Sequence, residues 1–354
     1  MSSRCSFLLP GDLNTRTGGY TYDRHIIEGL RASNWQVDVR SLGEGWPVPD
    51  ASSQALAREI VEALPDGELA MVDGLAFGAM PALAEAHAQR VRWVALVHHP
   101  LSMETGLGPE TRQALFESER RALAAARGVI VTSPSTRRAL AAFDVPESRI
   151  VVVEPGTEPA PLAVGSNHDE LALLCVATVT PRKGHRLLVE ALAGLNDRRW
   201  TLHCAGSLTM DAECTAAVID AIEAHGLGDR VVLHGEQDDA GLRALYESAD
   251  VFVLPSFHEG YGMALAEALA HGLPVISTSA GAIPDTVPVD AGVLVPPGDA
   301  LALRAALQGV MDDAGWRTQL AAGARRARQY LPTWLDSAAR FASALTGFRD
   351  TPRP

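Results

Sequence analysis

At 354 residues the chain is longer than a single hydrophobic core usually fills, so two domains are the expectation. Hydrophobic residues make 47% and charged residues 21%, an ordinary globular mixture, while the formal charge of −13 argues against nucleic acid or an anionic membrane surface as a partner, because both reward Lys/Arg clusters. The same charge opposes an anionic ligand, so any phosphate site must be locally basic. Four cysteines, Cys5, Cys175, Cys204 and Cys214, show no C-x-x-C pair and no metal-like spacing, and they read as buried reduced thiols. No basic-then-apolar leader opens the chain and no apolar run approaches about 18 residues, so a soluble cytoplasmic protein is expected.

Short apolar runs alternate with helical patterns throughout, which predicts α/β architecture: parallel sheets with helices on both faces. Strands are expected at 5–10, 36–42, 69–73, 93–98, 129–132 and 150–153, and again at 171–178, 201–205, 231–235, 251–254, 275–278 and 292–295. Six and six imply two similar doubly wound domains. The boundary is expected within 154–169, where Pro155, Gly156, Pro159, Pro161, Gly165, Ser166 and Asn167 cluster without periodicity.

The first strand empties into a loop running from Pro10 to Tyr20, with a helix expected to open near Thr21. Gly18-Gly19 either brings backbone N–H groups to a ligand at the carboxyl end of a strand, or forms a turn and N-cap. Gly106-Leu107-Gly108 lacks the third glycine of the dinucleotide fingerprint and follows no strand, which disfavours a nicotinamide enzyme. Strand four ends in His98-His99-Pro100; consecutive residues point to opposite faces, so one histidine emerges at the strand's end. The helix between Pro109 and Arg127 carries Glu110, Arg112, Glu117, Glu119, Arg120 and Arg121, a mixture of signs that predicts a solvated face and no membrane anchor.

In the second half, Ala177-Thr178-Val179-Thr180-Pro181-Arg182-Lys183-Gly184-His185 reads as strand, turn and helix start. Arg182 and Lys183 either place two cations where helix amides already point or stand idle in solvent. Leu233-His234-Gly235-Glu236 closes another strand. The apolar run 251–254 then meets Pro255-Ser256-Phe257-His258-Glu259-Gly260-Tyr261-Gly262-Met263, whose glycines and following helix form an anion cradle. Glu259 and Glu267 stand eight positions apart, roughly 12 Å along a helix and beyond the roughly 5 Å or 6.5–9.5 Å carboxyl separations of glycoside hydrolases. Two acids so spaced suit an elongated ligand with hydroxyls at both ends and phosphate between, the layout of a nucleotide sugar. Helices are expected at 301–311 and from 316 to about 345, interrupted at Leu331-Pro332.

Glu259-Gly260-Tyr261-Gly262 followed by Glu267-Ala268-Leu269-Ala270-His271-Gly272-Leu273-Pro274-Val275-Ile276, framed by Leu254-Pro255-Ser256 and Gly281-Ala282-Ile283-Pro284, resembles the Glu-x7-Glu signature of family 4 retaining glycosyltransferases. The resemblance implies the GT-B fold: two doubly wound Rossmann-like domains with a cleft between them. Residues 1–160 would form the acceptor-side domain and 161–330 the nucleotide-sugar domain, with 331–354 a helix crossing back to the first. It implies metal-independent, retaining transfer of a hexose from a nucleotide diphosphate sugar, most often a UDP-sugar, to an acceptor hydroxyl, with no cofactor beyond that co-substrate. No Asp-x-Asp pair offers an evident divalent-metal site. The rival readings are a nucleotide-sugar epimerase of the same fold, a transferase acting on a membrane lipid and a non-catalytic sugar-binding protein.

By the resemblance, Glu259 and the loop amides of Gly260, Tyr261, Gly262 and Met263 hold the donor sugar, and Glu267 takes the ribose hydroxyls. Gly18 and Gly19 face the diphosphate, the Gly235 loop meets the base, and His98 lies against the transferring sugar. Family members read Gly-Arg-x4-Lys-Gly where this chain has Thr178 in place of Arg and keeps Lys183-Gly184, with Arg182 in a variable slot. The expected catalytic set is therefore His98, Arg182, Lys183 and Glu259. Asp12, Asn14, Arg16, Tyr20 and His99, with Met103 and Glu104, are expected to shape the acceptor side, and a small soluble hydroxylated acceptor fits the chain's acidity.

Overall fold

The computed structural model describes residues 3–166 and 170–350. Six parallel strands form a first sheet: β1 (Ser3–Leu9), β2 (Trp35–Ser41), β3 (Leu69–Asp73), β4 (Arg92–Val97), β5 (Gly128–Val131) and β6 (Ile150–Val152), in the order β2-β1-β3-β4-β5-β6. A second sheet holds β7 (Leu171–Val176), β8 (Trp200–Ala205), β9 (Val231–Gly235), β10 (Val251–Leu254), β11 (Val275–Thr278) and β12 (Gly292–Val295), in the order β12-β11-β10-β7-β8-β9. All twelve stand within a few residues of the expected runs. The central strands β3, β5, β10 and β11 are buried at every position, which is why they read as unbroken apolar runs.

Each sheet reverses its direction of winding once. The neighbours at the reversal are β1 and β3 in the first sheet, with Ser6 opposite Ala70, and β7 and β10 in the second, with Leu173 opposite Val251. Beyond the carboxyl ends of such strands the loops diverge and leave room for a ligand. The loops of interest thus follow Leu9 and Asp73 in one sheet and Val176 and Leu254 in the other.

The chain divides into two compact units, one comprising residues up to Gly156 with those from Pro332 onward, the other Thr157–Leu331. In the first, the C-terminal helix Trp334–Asp350 inserts Phe341, Leu345 and Phe348 among Tyr22, Ile26 and Leu30 of the helix Gly18–Ala32. Ser337 Oγ donates to Glu154 O at 2.7 Å, and the Trp334 ring stacks on His25 at 4.1 Å. In the second unit, Trp200 is fully buried and satisfies its indole N–H on Leu195 O at 3.0 Å. Of the expected boundary and terminal segments, residues 167–169 and 351–354 lie outside the described residues.

Two local expectations need correction. The first helix begins at Gly18, three residues early, because Thr17 is extended and its side chain accepts the Tyr20 amide as an N-cap. The helix Pro109–Ala125 is not solvated along all its charges: Glu119 is buried, accepts the Leu101 amide at 2.9 Å and is pushed up to about 8, burial outweighing that hydrogen bond.

Candidate active site

In the second unit the loops after β7 and β10 meet. Lys183 Nζ donates to Glu259 Oε1 at 2.6 Å, and Ser256 Oγ donates to the same oxygen at 2.6 Å. Arg182 donates to His258 O at 2.9 Å and stands 3.7 Å from Glu259 Oε2, while the Phe257 amide donates to Arg182 O at 2.7 Å. Burial pushes the Glu259 carboxyl up, but Lys183 and Arg182, with the hydrogen bonds from Lys183 and Ser256, hold it below its ordinary range. Glu259 is therefore a buried anion facing two half-buried cations, so the corner keeps surplus positive charge inside an acidic chain.

Close approach requires Gly184. Its φ is +74°, and a Cβ there would lie 2.3 Å from Pro255 O, so a side chain would push the two loops apart. Gly262, at φ +90°, similarly starts the helix Met263–Ala270 in the left-handed region.

Starts of the helices of eight or more residues in this unit fall into two kinds. The helices Ala212–Ala224, Asp239–Ser248, Ala300–Asp312 and Ala314–Ala327 are capped by Asp211, Asp238, Asp299 and Asp313, whose carboxylates each accept an amide of the first turn. The helices His185–Ala193 and Met263–Ala270 begin on Gly184 and Gly262, with no side-chain cap. Those two adjoin the Lys183–Glu259 pair, and their first-turn dipoles favour an anion.

Glu267, just over one turn into the second of these helices, is half-buried and accepts from Tyr246 Oη at 2.9 Å. Burial raises its carboxyl to about 7 against the opposing hydrogen bond from Tyr246, whose ring stacks on His271 at 4.9 Å. Gly260 and Met263 are half-buried, and Tyr261 is buried with its carbonyl accepting from Thr286 Oγ1 at 2.7 Å. Thr178 is half-buried in the loop after β7, close to Gly206, whose amide donates to Gly235 O at 2.9 Å. The ends of β7, β8 and β9 are thus laced together by backbone.

In the first unit a different group forms at the ends of β3 and β4. His98 Nε2 lies 3.3 Å from Asp23 Oδ1 and 3.5 Å from Asp73 Oδ2, with both carboxylates buried. Burial pulls the His98 imidazole down, but the Asp23 hydrogen bond and the two carboxylate charges outweigh it, and its pKa is raised. Burial and Asp23 together push the Asp73 carboxyl well up, against His98 and the Leu75 amide it caps. Gly19 adjoins this ring, a Cβ there lying 3.7 Å from His98 Cδ2, and Gly18 is exposed in the first helical turn.

The expected acceptor-side residues are more dispersed. Asp12 accepts from the backbone and side chain of Asn14 at 2.9 and 3.0 Å, closing an exposed turn, and Arg16 is exposed. Tyr20 donates to Pro10 O at 2.7 Å, and His99 is 3.9 Å from Glu104. Sequence reasoning missed Asp23, Asp73 and Tyr246, and gave Ser256 no role. It also missed that two groups, Asp23/Asp73/His98 and Cys175/His185/Cys204, bring three metal-capable atoms within 4.8 Å of one another. Only strand pairing and helix docking create those neighbourhoods.

The family model "Glycosyl transferases group 1" matches residues 170–313, and "Glycosyltransferase Family 4" matches residues 55–160. The chain is 30% identical over 268 residues to a D-inositol 3-phosphate glycosyltransferase of Salinispora tropica, covering 66% of this chain and 56% of that protein. It is 31% identical over 212 residues to a 2-deoxystreptamine glucosyltransferase of Streptomyces kanamyceticus, covering 55% and 54%. The matches thus span little more than half the length of these relatives. Among solved structures, a sucrose-phosphate synthase from Thermosynechococcus elongatus superposes with a TM-score of 0.82 at 24% identity over 98% of both chains. HepE of Anabaena in complex with UDP-glucose superposes with a TM-score of 0.79 at 18% identity over 97% and 99%.

Proposed function

This chain belongs to the family 4 and group 1 glycosyltransferases and has the GT-B fold, and from that premise we propose that it transfers a hexose from a nucleotide diphosphate sugar, a UDP-hexose, to a hydroxyl of a small polyol, with retention of anomeric configuration. The observation that carries the donor half is the joint of Lys183, Arg182 and Glu259 between two helix starts that no side chain caps. As the glycosidic bond breaks, negative charge grows on the departing diphosphate. Fixed cations and helix amides at that place favour the transition state over the ground state.

Lys183 and Arg182 take the diphosphate in this reading, with Arg182 supplying the guanidinium the family motif carries at the position of Thr178. Glu259, kept ionised, accepts hydroxyls of the donor sugar, and Glu267 accepts those of the ribose. By the resemblance His98 lies against the transferring sugar, held in orientation by Asp23 and Asp73. The solved relative bound to UDP-glucose supports a uridine donor. Relatives named for inositol phosphate and 2-deoxystreptamine support a compact polyol acceptor. No described helix is long and apolar enough to cross a membrane.

Charge neutralisation by side chains and amides supports metal-independent transfer. The test is to incubate the protein with UDP-hexoses and a polyol panel, with and without chelator. Mass spectrometry should show one added hexose and NMR the donor's anomeric configuration. Isomerised donor without acceptor, an inverted product, or activity that disappears with chelator and returns with Mg²⁺ or Mn²⁺ would each overturn the corresponding part.

A further inference from the structure

Cys175, His185 and Cys204 have no part in the function proposed above, yet they converge beneath the Lys183 corner. Cys175 on β7 and Cys204 on β8 are directly paired in register, so both sulfurs leave the sheet on one face. His185 opens the helix that follows Gly184, and its Nε2 lies 3.7 Å from Cys175 Sγ. The two sulfurs and a ring nitrogen all stand within 4.8 Å of one another, and the three residues are no more than 4% exposed. Among the described residues His185 Nδ1 finds no hydrogen-bond partner, so a cysteine sulfur is the ring's one polar contact. Burying an imidazole on such terms costs desolvation with little return.

A tetrahedral Zn²⁺, with bonds of about 2.3 Å to sulfur and about 2.0–2.1 Å to nitrogen, sets its ligand atoms about 3.6–3.8 Å apart. Cys175 and His185 already stand at that separation. The geometry points to a soft-cation site in which Cys175 Sγ, Cys204 Sγ and His185 Nε2 bind one Zn²⁺, or a like thiolate-preferring ion, per chain. Both cysteines bind as thiolates, so whatever protons their sulfurs carry pass to solvent as two metal–sulfur bonds and one metal–nitrogen bond form.

The test uses the full chain, loaded with Co²⁺ or Zn²⁺ and then desalted. Wild type should retain one metal per chain, and the Co²⁺ form should show the near-ultraviolet thiolate-to-cobalt charge-transfer band, which surface histidines and carboxylates do not give. Cys204→Ala, which keeps a small apolar side chain in the core, and Cys175→Ser should each weaken Zn²⁺ by more than about 100-fold, since even outer-shell changes cost 10–100-fold. Circular dichroism confirms that each variant is folded. Wild type that shows no charge-transfer band, or folded variants that bind as tightly as wild type, would overturn the site whatever the outcome of the transferase assays.

Discussion

The two units bear different chemistry at equivalent places, the carboxyl ends of a parallel sheet near its winding reversal. In the unit Thr157–Leu331 two cations face one buried carboxylate, and the neighbouring helices start on glycines with no side-chain cap. In the other unit two buried carboxylates face one imidazole, and Thr17 and Asp73 cap the local amides. The first arrangement fixes positive charge and open donors, which suits an anion. The second sets one imidazole against two carboxylates, which suits a hydroxyl or a charge-poor ligand. One fold thus supplies two opposite electrostatic environments from the same edge.

The largest effect expected from breaking this contrast is at Lys183. Lys183→Ala should lower turnover with a UDP-hexose by about 10²–10³-fold, the cost of one transition-state donor. It also strands Glu259 as a buried anion, so its melting temperature should fall. Lys183→Met with Glu259→Gln should recover that stability and none of the turnover. Full activity in Lys183→Ala would remove the assignment.

Next in size is Glu267→Ala, which should weaken donor binding by about 10–100-fold, the loss of hydrogen bonds to a charged acceptor worth about 1.5–3 kcal/mol. Calorimetric titration of UDP reads this directly. Glu267 also carries a stability signature. Its carboxyl is raised to about 7 in the folded protein, so the native state binds the proton more tightly, and stability falls as pH rises from about 4.5 to about 7. Glu267→Gln should flatten that slope and stabilise the unliganded protein at pH 8, even as it weakens the donor. Glu259 has the opposite sign: its lowered pKa gives stability above the ordinary carboxylate range, lost as pH falls through its folded value.

A subtler change is Asp73→Asn in the acidic cluster. His98 is raised by Asp23 and Asp73 against the pull of burial, so removing one carboxylate should move its NMR titration downward and shift the pH profile of activity with it. The smallest effect is expected from Thr178→Arg, which installs the family's guanidinium beside an Arg182 already in place. It should raise UDP affinity by a few-fold at most. A large gain would mean that Arg182 does not fill that role.

How legible this was in the sequence follows from how local each feature is. Buried parallel strands announce themselves as apolar runs, and a glycine turn between strand and helix marks a ligand corner before any contact is known. Lys183 and Glu259 were readable for that reason, although they are 76 positions apart and their ion pair was not. Asp23 had a signal that went unused: an acid on the apolar stripe of Tyr22, Ile26, Ile27 and Leu30, buried with them. Asp73 and Tyr246 offered none, because their partners come from docking between elements distant in sequence. The Cys175–Cys204 pairing is a matter of strand register, which C-x-x-C arithmetic does not see.

The most direct test of the central claim is a crystal structure of the protein with UDP-hexose. The account predicts diphosphate oxygens within hydrogen-bonding distance of Lys183 Nζ and of the first amides of the helix Met263–Ala270, with the ribose on Glu267. A diphosphate bound away from Lys183 and Met263, with the Lys183–Glu259 pair untouched, would contradict it.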